Sequence, residues 1–165
     1  MKYYDITALP DIDVAFWKRL GYSKIYTRNE VRIEERQNGT GAYILKSSEP
    51  GRIFRSISDR NCVGIVFRDN LPVKRVLEKA AAEDKPVIIP ISKLTCSTGP
   101  SFMKNTYGLK SIFASCVNVG VTVAAASLAA NADSLLSSLQ MLELSKFIGA
   151  SEEQAKEMIS HRWIE

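Results

Sequence analysis

The chain has 165 residues, 45% hydrophobic and 24% charged, with a net charge of +4. This balance suits one soluble globular domain spanning residues 1–165 with a sizeable core. No run of about 18 uninterrupted apolar residues argues for a membrane span, no apolar signal region follows Lys2, and the odd set Cys62, Cys96 and Cys116 without CxxC spacing argues against a disulfide frame. A cytoplasmic location with reduced thiols is the expectation.

The charge is unevenly spread. Residues 1–110 carry 19 Lys+Arg and 12 Asp+Glu, whereas residues 111–165 carry 3 and 6. A basic front and an acidic tail admit an anionic partner for one part of the surface, or ordinary solvated charge.

In chain order, Tyr3 to Leu9 reads as a first strand containing Asp5. DIDVAFWKRLG reads as a helix with Asp11 as cap, Ile12, Ala15, Phe16 and Leu20 inward, and Gly21 as stop. Tyr22 to Thr27 is a second strand. The polar stretch from Arg28 to Thr40 permits a short strand around Val31 and Ile33, with a turn at Asn38-Gly39. GAYILKSS is the next strand, ending near Lys46. GRIFRSISD is a short basic helix or turn with Ile53 and Ile57 facing in, and Cys62 to Phe67 is a buried strand.

The stretch from Asn70 to Asn131 organises the rest. NLPVKRVLEKAAAEDK has helical spacing, with Val73, Val76, Leu77, Ala80 and Ala81 on one face. PVIIPIS is a short apolar run. GPSFMKNTYGLKSIFASCVNVG is a second helix with Leu109, Ile112, Phe113, Cys116 and Val117 inward. VTVAAASLA is a further apolar run. Apolar strands alternating with helices mean parallel strands buried on both faces, each helix placed outside by a right-handed crossover. ADSLLSSLQMLELSKFIG then reads as a helix with Leu135, Leu136, Leu139, Leu142 and Phe147 inward and Gly149 as stop. SEEQAKEMIS opens with a capping box, Ser151 and Gln154. The total is an α/β fold of about six or seven parallel strands. A closed eight-stranded barrel takes about 250 residues, so the choice lies between a reduced or distorted TIM-barrel-like form and a doubly wound sheet.

Metal hydrolysis on such a barrel draws on several His and carboxylate ligands, which one histidine, the surface-reading His161, cannot supply. Asp5 could serve as a catalytic acid, or accept hydrogen bonds from backbone at a strand end. No glycine-rich phosphate motif occurs. STGPS (Ser97 to Ser101) could hold an anion on free N–H groups or serve only as loop and cap. Arg28, Lys46, Arg68 and Lys93 fall at or just past the C-terminal ends of strands, the functional face of parallel α/β folds. There they would form a positive rim for phosphates. Tyr26, Tyr43 and Tyr107 could stack on unpaired bases or belong to the core.

The opening YYDI strand, FWKRLGYSKI, RVLEKAAAEDKPVIIPIS, the long helix before GVTVAAASLAAN and the close KFIGASEEQAKEMIS follow a family order over most of the chain. In these features the sequence resembles the archaeal ribonuclease P protein component 3, or thirty-kilodalton subunit, family. The resemblance implies a barrel-like fold related to the polymerase and histidinol phosphatase superfamily, without its metal-binding histidines. It implies a non-catalytic subunit with no catalytic or metal residues and no cofactor of its own, working beside the ribonuclease P RNA and protein component 2. In this family the RNA removes the 5′ leader of precursor tRNA, with Mg²⁺ expected for the RNA-containing holoenzyme. Family members are longer, and material before CVGIVF is missing here. The arginine-rich segment that follows the family's PVIIPIS-like strand is here KLTCSTGPSFMKNTYGLK, whose cations are Lys93, Lys104 and Lys110. Protein–protein contact therefore gains weight at that place. Candidate RNA contacts are Arg28, Lys46, Arg68, Lys93, Lys104 and Lys110. Two other readings are a small metal-dependent barrel phosphoesterase and a plain protein-interaction domain.

Overall fold

The computed structural model describes residues 1–35, 40–68, 72–161 and 163. The expected Asn38-Gly39 turn and the expected helix start at Asn70 lie outside them. Among the described residues there are seven strands: β1 (Tyr4–Ile6), β2 (Lys24–Tyr26), β3 (Arg32–Glu34), β4 (Tyr43–Ser47), β5 (Cys62–Phe67), β6 (Val87–Pro90) and β7 (Val123–Ala126). The helices are α1 (Val14–Arg19), α2 (Pro50–Ser56), α3 (Lys74–Ala82), α4 (Ser92–Thr95), α5 (Gly99–Val119), α6 (Ser138–Phe147) and α7 (Glu152–Ile159), with a 3₁₀ turn at Ala132–Ser134.

All ladders are parallel, in two sheets of order β1-β2 and β3-β4-β5-β6-β7. The strands follow one another in sequence order with no reversal. A doubly wound sheet reverses its order at a switch point, so the winding is that of a barrel. Backbone past β7 meets the end of β1: Leu128 N–H donates to Ile6 O and Ala8 N–H to Ala129 O, both at 2.9 Å. On the other flank no ladder joins β2 to β3 among the described residues. The chain there passes through a turn in which Val31 N–H donates to Thr27 O at 3.0 Å. The fold is thus barrel-like and open on one side.

Because side chains alternate along a strand, the strands supply two separate cores. Ile6, Tyr26, Val31, Ile44, Val66, Ile88, Ala124 and Ala126 cluster inside, together with Trp163. Ile25, Tyr43, Leu45, Ile65, Phe67, Val87, Ile89 and Ala125 face outward and meet helix residues including Leu77, Ile112, Cys116, Met141 and Met158. Burial on both faces is why CVGIVF and VIIP read as unbroken apolar runs. One close approach inside requires glycine: a Cβ on Gly64 would come within 2.6 Å of Ile88 Cδ1.

The helices correct several expected faces. The first is capped by Asp13, whose carboxylate accepts from Ala15 N–H at 2.9 Å. Asp11 instead accepts from Ile12 N–H. This later start turns Trp17 and Leu20 toward the core with Ile12 and leaves Ala15 exposed. Val73 precedes α3 as its N-cap and is exposed, while Val76, Leu77 and Ala80 are buried. In α5, Leu109, Ile112, Phe113 and Cys116 are buried, but Val117 is exposed. Gly120 stops this helix at φ 78°, a left-handed value that glycine adopts without a Cβ clash.

The largest departure is α6. A capping box between Ser137 and Gln140 starts it at Ser138. Leu135 and Leu136 are buried, but in the linker before it. Helical phase counted from Ser138 buries Met141 and Ser145 and turns Leu139 and Phe147 outward. The box at Ser151 and Gln154 opens α7 as the sequence implies.

Candidate nucleic-acid interface

A groove of about 440 Å³ runs between the C-terminal ends of β5 and β6 and the first half of α5. Phe67, Leu109 and Ile112 line its inner part, and Arg68, Lys93, Lys104, Asn105 and Tyr107 line its sides. Three elements place the polar side chains: the end of β5, α4 and α5, which carries Lys104, Asn105 and Tyr107. Arg68 directly follows β5, its N–H donating to Ser47 O at 3.1 Å as the β4–β5 ladder ends. Its guanidinium donates to the Glu35 carboxylate at 2.5 Å. Lys93 sits in α4 just past β6 and donates through Nζ to Arg68 O at 2.8 Å. Asn105 Nδ2 donates to Lys93 O at 3.2 Å, which ties α5 to α4. Lys104 is exposed one position before Asn105.

Three of the six candidate cations therefore converge: Arg68, Lys93 and Lys104. The others are spread out. Arg28 follows β2 in the two-stranded sheet and is exposed. Lys46 shares the inner strand face with Ile44 and is half-buried. Lys110 places its ammonium 4.9 Å from the centroid of the Phe147 ring, on the side of α5 that meets α6. Phe147 in turn lies 6.2 Å from Phe102, ring to ring.

The three tyrosines separate as sharply. Tyr26 and Tyr43 belong to the core at 3% and 1% exposure, whereas Tyr107 is 73% exposed on the groove wall. Sequence reasoning missed Asn105 and Gly108 as groove residues, and read Ser101 only as the end of the STGPS loop that could hold an anion. The signal was available: 101, 104, 105 and 108 recur at i, i+3, i+4 and i+7, one face of a helix.

Asp5 is fully buried on the outer face of β1, in register with Ile25 of the helix-side core. Its Oδ1 accepts from Ile6 N–H at 2.8 Å and from Ser127 N–H at 2.7 Å. Burial pushes its carboxyl up to about 6, against the smaller downward pull of those hydrogen bonds. A residue so placed fastens β1 to the end of β7. His161, expected at the surface, is half-buried, with its ring 4.8 Å from that of Trp163. Burial lowers its pKa, and Asp84 opposes the shift. Among the described residues no group of three His, Cys, Asp or Glu side chains is arranged to hold a metal. No helix there is long and apolar enough to cross a membrane.

The fold is a parallel α/β barrel-like form, and solved structures share it. A chain in the cryo-EM structure of archaeal ribonuclease P with mature tRNA superposes with a TM-score of 0.68 at 7% identity, covering 94% of this chain and 76% of that one. Crystalline A. niger ochratoxinase superposes with a TM-score of 0.52 at 14% identity, over 72% of this chain and 28% of that one. At these identities the likeness is one of fold. No family model matches the chain, and no curated protein does.

Proposed function

We propose that this chain is a non-catalytic protein subunit of ribonuclease P, supporting RNA-catalysed removal of the 5′ leader from precursor tRNA beside protein component 2. The observation that carries this reading is the fold shared, over nearly the whole chain, with a chain of archaeal ribonuclease P. Three cations converging on one groove supply a surface suited to phosphate. Arg28, Lys46 and Lys110 are then contacts at other places, to RNA or to component 2. Leu139 and Phe147, outward on α6, are the apolar contacts proposed for the protein partner. The phosphoesterase alternative gains no support from Asp5, which faces the helices rather than the strand ends.

Reconstitution tests the proposal. The chain added to ribonuclease P RNA and component 2 with Mg²⁺ should raise the rate of precursor tRNA cleavage. The chain alone, with Mg²⁺ or Mn²⁺, should cleave nothing. Turnover by the repurified chain that is lost in Asp5→Ala would replace the subunit reading with the phosphoesterase one.

A further inference from the structure

The groove walled by α5 contains an aromatic ring, a cluster of cations and a space that the packing does not explain. The space is at Gly108. This glycine lies in the middle of a 21-residue helix. There glycine is less favourable than alanine through the freedom it loses on folding. No neighbour requires it, since a Cβ at Gly108 would meet nothing within 4 Å. Nor does its backbone require it, because it is not among the glycines with positive φ. What its missing side chain leaves open is the groove itself, one residue from Tyr107 and one helical turn from Lys104.

We infer that the groove takes an unpaired RNA nucleotide, its base stacked on Tyr107 over Gly108 and its phosphate met by Arg68, Lys93 and Lys104. This rests on the ribonuclease P reading for the choice of RNA. It goes further in naming single-stranded RNA and one recognition residue. A volume of about 440 Å³ lies within the range of small-molecule pockets, which begin near 300 Å³. The ring is presented for stacking, because Tyr107 is 73% exposed while the groove residues beside it, Leu109 and Ile112, are buried. Stacking of bases on aromatic rings is tolerant of sequence, since every base has a π-face. The Arg68–Glu35 pair is exposed on both sides, 48% and 64%. Exposed pairs contribute little, so Arg68 can exchange that carboxylate for a phosphate. A duplex presents no free base face and cannot use Tyr107 in this way.

The test is fluorescence anisotropy of the whole chain with a labelled single-stranded RNA hexamer and, separately, a labelled RNA hairpin of equal charge. The single strand should bind more tightly than the hairpin. Tyr107→Ala should weaken single-strand binding by roughly tenfold, and Tyr107→Phe should restore it. Gly108→Leu should fill the space and abolish single-strand binding while leaving the melting temperature unchanged or raised, which separates blocking from unfolding. Lys104→Ala should reduce the salt slope by about 0.7. Equal affinity for strand and hairpin, or indifference to both Tyr107→Ala and Gly108→Leu, overturns the inference. So does loss of component 2 binding in Gly108→Leu with hexamer binding intact, since the groove would then hold protein. The parent proposal fails differently: the wild-type chain would bind the hexamer as described, yet leave precursor tRNA cleavage by the reconstituted enzyme unchanged.

Discussion

The two ends of the strands are finished in opposite ways. At the N-terminal end the chain folds back after α7, and His161 enters a cleft with Gly120, Val121, Thr122 and Val123, the residues leading into β7. Trp163, beside it, is 5% exposed and joins the inner core. At the C-terminal end the aromatic is Tyr107, 73% exposed among cations. One end uses an aromatic side chain to fill the interior, and the other leaves one in solvent where packing gains nothing from it. Fold stability and the proposed recognition therefore fall at opposite ends and should separate under mutation.

Trp163→Ala should break the comparison most. Deleting a buried indole costs about 3–5 kcal/mol, readable as a fall in the denaturant midpoint. A loss below about 1 kcal/mol would mean that the inner core does not depend on this residue.

Asp5 gives the next effect, through pH. Its pKa is raised from 3.8 unfolded to about 6 folded. Below pH 4 both states hold the proton. Between about 4 and 6 only the folded state does, so stability falls as pH rises through that window and levels off above it. The difference is about 3 kcal/mol at 1.36 kcal/mol per unit. Asp5→Asn keeps a neutral acceptor for the Ile6 and Ser127 N–H groups. Its stability should lack this slope, and parallel curves for parent and variant across pH 4 to 6 would contradict the assignment.

Gly64→Ala forces a methyl against Ile88 in the inner core and should cost about 1–3 kcal/mol. Ile88→Val removes the offending Cδ1, so the double variant should recover part of the loss. Additive losses in the cycle would show that the two positions do not meet. Smallest is Tyr107→Ala, which should move stability by no more than about 0.5 kcal/mol, in contrast to the effect proposed for it on RNA binding.

The parts of this fold legible in the sequence are those where one physical signal dominates. Cys62–Phe67 is buried on both faces and can only be a central strand. Ser151 and Gln154 mark a helix start by reciprocal hydrogen bonds, and Gly21 and Gly149 mark stops, where the backbone takes positive φ values. Where signals compete, the reading slips. Leu135 and Leu136 extend the apolar period of α6 backward, and only the overlooked box at Ser137 and Gln140 shows that they precede it. The choice between barrel and doubly wound sheet depended on strand order, which no local pattern encodes. The groove was half legible. Arg68 and Lys93 follow strands and were expected to share a face, but Lys104 and Tyr107 join them only because α5 packs across the ends of β5 and β6.

The seam between β1 and β7 also bears on how the chain is made. Ser127 N–H reaches Asp5, and Thr7 Oγ1 reaches Ala129 O, across 122 residues of sequence in each case. Ribosomes add roughly 5–20 residues each second, so β1 and β2 wait on the order of ten seconds before the backbone that covers their edge has been synthesised. During that interval the N-terminal pair presents an unpaired parallel edge, a template for wrong partners. Contacts this distant in sequence also carry a large loop-closure entropy and slow the folding that depends on them. Among the strand contacts the seam therefore closes late in a newly made chain, and its edge stays open to misassembly until then.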